Sequence, residues 1–381
     1  MRYRWLGKTG MNISEIGFGA WAIGGTWWGP QDDQDSRLAL HQALDMGVNF
    51  IDTAWVYGDG HSERLIGSVL KERHERPFLA TKVPPKTWNW EGPVGTPLND
   101  AFPADWIRAK AEESLRNLGV ETLDVLQLHT WLREWNAQAG PMLDAVAQLK
   151  REGKIRAFGL SLKDKEPDAA NDLVRWRQID TLQVFFNLLY QEPIEKLFPL
   201  ARKYGTGIIA RVPLAFGALS GKFTPKTRFI GDDHRRNLYE GERLKTTLLK
   251  VKKLQFLASR STSLAEAALK WTIAYPEVSV AIPGIRNSHQ ARINGLAGDG
   301  TRGSIAAAKK AQALYRRNFG LPVQKVVSIE TVPAVFISGV KLTAHPSMRK
   351  LVVNPVKKKK AAATPPKKAK SSLKKKKRSK K

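Results

Sequence analysis

Residues 47–67 read GVNFIDTAWVYGDGHSERLIG, and this stretch guides the interpretation of the whole chain. Its apolar run at 48–51 ends at Asp52 and predicts a buried strand. Tyr57 follows in a segment closed by a glycine-rich turn, and an amphipathic helical pattern begins at Ser62. Loops at the carboxyl ends of parallel strands are where α/β folds build active sites. A carboxylate and a phenol at this position therefore indicate a site for chemistry.

Two further apolar runs end in a basic side chain. Residues 78–82, FLATK, end in a lysine, and residues 123–129, LDVLQLH, end in a histidine. Residues 52–63 match the pattern DTA-x-x-YG-x-G-x-SE. In this order the three segments resemble the aldo-keto reductase superfamily, and the resemblance extends from about residue 3 to residue 294. It implies an enzyme that reduces an aldehyde or ketone to an alcohol, or runs in reverse, with a nicotinamide cofactor.

The four polar residues suit such a reaction. A carbonyl becomes an alcohol when hydride reaches its carbon and a proton reaches its oxygen. A free tyrosine titrates near ~10, but a neighbouring ammonium lowers that pKa, and a histidine can hydrogen-bond the developing alkoxide. The resemblance implies that Tyr57 is the general acid and that Lys82 lowers its pKa. It also implies that Asp52 pairs with Lys82 and that His129 orients the substrate carbonyl.

Strand and helix patterns alternate along the chain, which predicts a parallel sheet. Eight such units in about 300 residues indicate a (β/α)8 barrel, with a doubly wound open sheet as the alternative. A hairpin is predicted over residues 2–16. The strand patterns lie at 16–18, 48–51, 78–81, 123–128, 155–160, 181–185, 207–210 and 278–282. The helical patterns lie at 36–46, 63–72, 104–118, 141–151, 166–177, 194–204, 264–274 and 304–318.

Residues 17–22, GFGAWA, fit the G-x-G-x-x-A spacing of a Rossmann dinucleotide site. We reject a Rossmann fold here, because glycines, tryptophans and a proline follow where that fold needs a helix. The resemblance instead implies that this loop lies beside the nicotinamide of an extended NADPH, with NADH less favoured. The implied cofactor-binding residues are Gly19, Trp21, Ser161, Gln183, Arg211, Pro213, Leu214, Gly217, Lys222, Gly284, Arg286, Gln290 and Asn294.

Particular contacts follow from the same resemblance. Ser161 and Gln183 match positions that hydrogen-bond the nicotinamide carboxamide, and Arg286 is the expected ligand of the 2′-phosphate. The chain departs from the family pattern at three positions. Leu162 replaces a common asparagine, Arg211 replaces an aromatic ring that stacks on the nicotinamide, and the usual glutamate beside the adenine is an isoleucine. A planar guanidinium can also stack.

Eight tryptophans follow the first four strand patterns, where barrel loops surround one mouth. They are Trp21, Trp27, Trp28, Trp55, Trp88, Trp90, Trp131 and Trp135. They form either an apolar or aromatic substrate pocket or ordinary loop packing. The charged segment at 224–243 is either a lid over the cofactor or a solvated loop.

Charge and composition divide the chain into three parts. We expect a barrel at 1–320, an extension of unclear structure at 321–349 and a disordered lysine-rich tail at 350–381. The tail carries fifteen of the +28 net charges and no acidic residue, which leaves +13 for residues 1–349. It is either a weak ligand of nucleic acid or anionic surfaces, or a solubilising tail.

Composition also limits the class of protein. The chain has no cysteine, so disulfides and thiolate sites are excluded. No run approaches the ~20 apolar residues of a membrane helix and no secretory signal is recognisable, so we expect a cytoplasmic protein. No metal site is indicated. The alternative to an enzyme is a nicotinamide-binding regulatory or scaffold protein that its basic tail tethers to a polyanion.

Overall fold

The computed structural model describes residues 1–25, 27–87, 95–301 and 303–322. The tail predicted at 350–381 lies outside these residues, as do Trp88, Trp90 and all but the first two residues of the predicted extension.

Eight parallel strands form one sheet that closes on itself. Each strand pairs with its neighbour in chain order, and bridges from Ile16 to Ala281 and from Gly19 to Gly284 join the first strand to the last. The predicted (β/α)8 barrel is confirmed, and the open doubly wound sheet is wrong because the two edges meet. The eight barrel strands are β3 (Phe18–Gly19), β4 (Phe50–Asp52), β5 (Phe78–Val83), β6 (Leu123–Leu128), β7 (Ile155–Ser161), β8 (Thr181–Phe185), β9 (Gly207–Arg211) and β10 (Val278–Ile282). Two strands outside the barrel precede them, β1 (Tyr3–Trp5) and β2 (Asn12–Ser14).

Helices cover the outside of the barrel. They are α1 (Asp33–Asp45), α2 (His61–Leu70), α3 (Leu98–Ala101), α4 (Ala104–Leu118), α5 (Gly140–Arg151), α6 (Asn171–Arg175), α7 (Leu197–Tyr204), α8 (Arg235–Leu238), α9 (Glu242–Leu254), α10 (Leu264–Ile273), α11 (Ser288–Leu296) and α12 (Ile305–Arg316). None of the helices in the described residues is long and apolar enough to cross a membrane.

The helix predicted at 166–177 is much shorter in the structure, where α6 begins only at Asn171. Pro167 disfavours helical geometry at Glu166, which explains why the helix does not begin there. Helix α9 was not predicted, although its leucines and valine recur at helical spacing. Its buried residues are Leu244, Val251 and Leu254.

The predicted N-terminal hairpin is confirmed and closes one end of the barrel. Strands β1 and β2 pair antiparallel, and Leu6, Met11 and Ile13 are fully buried against the barrel interior. The backbone N–H of Lys8 donates to the carbonyl of Gly205, at the start of β9, at 2.9 Å. Since the hairpin fills the N-terminal end, the opposite, carboxyl end of the strands is left to form a site.

Candidate active site

The carboxyl ends of three neighbouring strands bring the predicted catalytic residues together. Asp52 is the last residue of β4, Lys82 lies near the end of β5, and His129 follows β6 directly. Lys82 Nζ lies 2.6 Å from Asp52 Oδ1 and 3.5 Å from the Tyr57 hydroxyl. The rings of Tyr57 and His129 meet edge to face at 5.7 Å. All four side chains are buried, so few waters can compete for their polar atoms.

The second carboxylate oxygen of Asp52 is held by two amides. Gln183 Nε2 donates to Oδ2 at 2.7 Å and Gln127 Nε2 at 3.3 Å. Gln127 was not predicted, although a lone amide within the apolar run LDVLQL is a signal for it. Because Gln183 commits its Nε2 to Asp52, any contact that it makes with a nicotinamide carboxamide would have to use Oε1.

Burial sets the protonation of the site. It raises the pKa of Tyr57 well above its ordinary value, Asp52 raises it further and Arg211 lowers it. Burial also lowers the pKa of His129 well below its ordinary value, with Lys82 and Arg211 acting in the same direction. The pKa of Lys82 is lowered by burial and partly restored by Asp52. Tyr57 is therefore a protonated phenol and His129 a neutral imidazole at neutral pH. The net direction at Tyr57 is upward, so the lowering expected from Lys82 stays a prediction.

The remaining residues of the signature hold the loop that carries Tyr57. Ser62 Oγ donates to the carbonyl of Ala20 at 3.1 Å and shares a 2.9 Å hydrogen bond with Thr53 Oγ1. The buried carboxylate of Glu63 accepts from Thr81 Oγ1 at 2.6 Å and from Asn117 Nδ2 at 2.9 Å. These bonds tie the start of α2 to the loop after β3, to β5 and to α4.

A cavity of about 410 Å³ opens at this end of the barrel. Its lining includes Asp52, Tyr57 and His129, whereas Lys82 lies behind them. All thirteen predicted cofactor residues also line it, although they come from loops distant in sequence. Other residues complete the lining, among them Trp28 and Arg235, and also Phe216, Ser263 and His289, which were not predicted.

Arg211 sits at the end of β9 and lines the cavity with its side chain 11% exposed. Its guanidinium donates to the carbonyl of Leu162 at 2.9 Å, pairs with Asp164 and lies over the ring of Phe185 at 5.3 Å. Among the described residues, its buried Nε has no hydrogen-bond partner. A buried donor of this kind suits an acceptor atom of a molecule bound in the cavity.

The loop after β9 has strained backbone. Val212, Ala215 and Phe216 adopt φ angles of 54°, 47° and 51°, and Gly217 follows at 96°. Tyr239 fixes this left-handed turn by donating its hydroxyl to the carbonyl of Ala215 at 2.6 Å. Such conformations persist only where the surroundings enforce them, and they cluster at ligand sites. Pro213, Leu214 and Gly217, all predicted to bind the cofactor, thus form a conformationally fixed wall of the cavity.

Arg286 lies just before the N-terminus of α11 and also lines the cavity. Its Nε donates to Gln31 Oε1 at 2.7 Å, and Gln31 Nε2 donates back to the Arg286 carbonyl at 2.8 Å. Asn287 caps the helix by accepting from the Gln290 N–H at 2.9 Å. A helix N-terminus beside a guanidinium favours an anion. The cavity thus has donors from Arg211 and from the start of α11, and its residues fit a dinucleotide.

Four of the eight tryptophans fall into two groups. Trp21 and Trp28 line the cavity, and Trp21 stacks on Tyr57 at 6.0 Å. Trp131 and Trp135 are fully buried and donate to Asn136 Oδ1 and to the carbonyl of Thr96, both at 2.9 Å. For this second group, loop packing is the correct interpretation, because their rings fill the core beside the barrel.

The segment predicted at 224–243 to be a lid or a solvated loop lies against the loop after β3. The backbone N–H of His234 donates to the carbonyl of Trp27 at 2.9 Å, and its ring stacks on Trp21 at 4.7 Å. Arg235 packs over the ring of Trp28 at 4.9 Å and lines the cavity. This arrangement joins two loops across one side of the site.

Comparison with known proteins agrees with this geometry. The model of the aldo/keto reductase family matches residues 15–298. The chain is 32% identical to the aldo-keto reductase YhdN of Bacillus subtilis over 304 residues, which cover 76% of this chain and 86% of that protein. It is 27% identical to the NADH-specific methylglyoxal reductase of Escherichia coli over 303 residues, which cover 76% of this chain and 91% of that protein.

A solved structure extends the likeness to the fold. The glycerol dehydrogenase of Gluconobacter oxydans superposes with a TM-score of 0.69 at 28% identity, covering 86% of this chain and 98% of that one. The family model covers most of the chain, and the signature residues lie at one mouth of a closed barrel. The chain therefore belongs to the aldo/keto reductase family of NAD(P)H-dependent oxidoreductases.

Proposed function

We propose that this protein reduces an aldehyde or ketone to an alcohol, with Tyr57 as the proton donor and NADPH as the preferred cofactor. The observation that carries the proposal is the Tyr57 hydroxyl, which lies 3.5 Å from the Lys82 ammonium beside His129 and at the wall of the cavity. No other protonated phenol lining this cavity adjoins both a buried cation and a neutral imidazole, among the residues that the structure describes.

The bound cofactor supplies the hydride that reduces the carbonyl carbon. Tyr57 gives its proton to the carbonyl oxygen, and a hydrogen bond from His129 orients that oxygen. The phenolate that remains is stabilised by the Lys82 ammonium. Asp52 in turn keeps Lys82 charged against the effect of burial. In the reverse direction, the phenolate accepts the proton of an alcohol.

The substrate lies in the cavity against Tyr57, beside the aromatic rings of Trp21 and Trp28. These rings favour a carbonyl compound with an apolar or aromatic group. Ser161, Gln183 and Arg211 would hold the nicotinamide end of the cofactor, and the strained loop at 212–217 would contact the pyrophosphate. The regulatory alternative is not favoured, since the three relatives described above are all named for enzymatic activities.

The proton-donor role is tested with Tyr57→Phe, which removes the hydroxyl and keeps the ring. We expect turnover of a panel of aldehydes to fall by about 10²-fold to 10⁴-fold, because that is the usual contribution of a positioned acid. NADPH binding, followed by fluorescence, stays near the wild-type value. Tyr204→Phe, at the end of α7, makes the same change away from the cavity and retains full turnover. NADPH binding without turnover in the wild type would instead support the regulatory role.

The cofactor preference is tested with Arg286→Gln. We expect the Kd for NADPH to rise by about tenfold or more, whereas that for NADH changes little, since only NADPH carries the 2′-phosphate. Arg292→Gln removes an exposed cation from the same helix and serves as the matched control. Equal losses for both cofactors in Arg286→Gln would contradict a 2′-phosphate contact. Tighter wild-type binding of NADH would give this protein the preference named for its Escherichia coli relative.

A further inference from the structure

Lys110 is a buried cation outside the catalytic set. It lies on α4, its side chain is 10% exposed, and its Nζ pairs with Glu113 Oε2 at 2.7 Å. The same ammonium lies 3.4 Å from the ring centroid of Trp55 and 4.8 Å from that of Trp106. Two indoles and a carboxylate thus surround one ammonium. Burial of this kind strengthens the attraction between a cation and an aromatic face.

The two indoles connect α4 to different strand ends. Trp106 belongs to α4 itself and donates its Nε1–H to the carbonyl of Pro84, just after β5, at 2.8 Å. Trp55 belongs to the loop after β4, two residues before Tyr57. Its backbone N–H donates to the carbonyl of Lys82 at 3.3 Å, and its carbonyl accepts from the Gly60 N–H at 2.6 Å.

A tight turn links Trp55 to Tyr57, the proposed proton donor. The backbone N–H of Tyr57 donates to the carbonyl of Ala54 at 3.1 Å, and the carbonyl of Tyr57 accepts from the backbone N–H of Ser62 at 3.1 Å. A shift of the Trp55 ring away from α4 would therefore move the segment that carries Tyr57. Displacements of about 1 Å in a reacting group can cost on the order of 100-fold in rate.

We propose that Lys110 is a positioning residue for the reduction, holding the Tyr57 loop against α4 through the face of the Trp55 ring. This inference rests on the proposed carbonyl reduction. It requires a cation at Lys110 and an aromatic face at residue 55, and it predicts that each loses its effect when the other is absent.

The test compares Lys110→Met, Lys110→Arg, Trp55→Leu and the double variant Lys110→Met/Trp55→Leu in NADPH-dependent aldehyde reduction. We expect kcat to fall about tenfold in Lys110→Met with the KM for NADPH unchanged, and Lys110→Arg to restore most of it. The double variant is no slower than Trp55→Leu alone, because both changes remove one contact. Lys154→Met is the matched control. It removes an ion pair from Glu112 of the same helix without touching Trp55, and it leaves kcat unchanged.

A second comparison decides the matter if Lys110→Met does not fold. Trp55→Phe keeps an aromatic face for the ammonium and Trp55→Leu does not, so only the leucine variant loses kcat. A wild-type kcat in Lys110→Met, equal losses in the two Trp55 variants, or multiplied losses in the double variant would each overturn the inference. Absence of turnover in the wild type would overturn the proposed reduction and this inference together.

Discussion

At the scale of single residues, burial outweighs the neighbouring charges at the active site. Tyr57 lies 3.5 Å from an ammonium, yet its pKa is raised, because desolvation disfavours the phenolate, Asp52 adds to this effect and Arg211 offsets only part of it. The same effect keeps His129 neutral. A phenol that holds its proton and an imidazole that does not take one are the states that carbonyl reduction needs. In the proposed mechanism, Tyr57 therefore keeps its proton until the alkoxide develops.

The neutral histidines predict how stability depends on pH. Burial lowers the pKa of both His129 and His234 in the folded protein, so the unfolded chain binds more protons below its ordinary value of ~6.5. The stabilisation is complete above that value and is lost as pH falls. We expect the free energy of unfolding to fall between pH 6.5 and 5.5, by at most about 1 kcal/mol for each histidine. Urea titrations measure this dependence, and it should flatten in His129→Gln. An unchanged slope would mean that His129 is already charged in the folded state.

At the scale of elements, the loop between β4 and α2 is the most constrained part of the site. Gly58 has φ +66°, and a Cβ at this position would lie 2.1 Å from the carbonyl oxygen of Gly24. Ser62 and Glu63 then tie the following helix to three other elements. The glycine, serine and glutamate of the signature thus shape the loop, whereas the aspartate and tyrosine are the groups proposed to take part in the chemistry.

This constraint predicts a large effect of Gly58→Ala. The new methyl group would need the backbone of Gly24 to move as well as a left-handed alanine, so we expect a loss of about 3 kcal/mol or more. Gly10→Ala is the matched control. That glycine has φ +75° but nothing within 4 Å of its added Cβ, so the cost is about 1–2 kcal/mol. Denaturant unfolding of the two variants measures the difference, and equal losses would exclude a steric role for Gly24.

At the scale of the whole molecule, more than half of the net positive charge belongs to the last 32 residues of the sequence. The net charge is +28, and fifteen of these charges belong to residues 350–381, which lie outside the described residues. The cavity is itself lined by Arg211, Arg235, Arg286 and Lys222, which suits an anionic dinucleotide. Two separate uses of positive charge are therefore expected in this chain, one in the barrel and one in the tail.

Removing residues 350–381 separates these uses. We expect the full chain to bind duplex DNA or anionic vesicles weakly, with an affinity that falls steeply with salt, and the shortened chain to lose this binding. Aldehyde turnover stays unchanged, because no predicted site residue lies in the tail. Fluorescence anisotropy at two salt concentrations measures the first property. Equal binding by both chains would assign it to the barrel, and no binding by either would leave the tail as a solubilising segment.

Much of the fold and of the candidate site was predictable from local patterns. Apolar runs that end in Asp52, Lys82 and His129 indicate strands of one parallel sheet, and such strands end at the same edge. The predicted strands overlap those observed, and the predicted cofactor residues line one cavity. These features depend on the order of residues along each strand and on their spacing, which are visible in the chain itself.

Other features required the folded molecule, because they depend on distances between residues far apart in sequence. Gln183 reaches Asp52 across 131 positions, and Lys110 meets Trp55 from a neighbouring helix. The burial of Trp131 and Trp135 separated core packing from pocket lining. Desolvation raises the pKa of Tyr57, and the extent of this burial is not visible in the order of residues. The sequence therefore indicated the barrel and the candidate reacting groups, whereas tertiary packing decided how deeply those groups are buried and which contacts hold them.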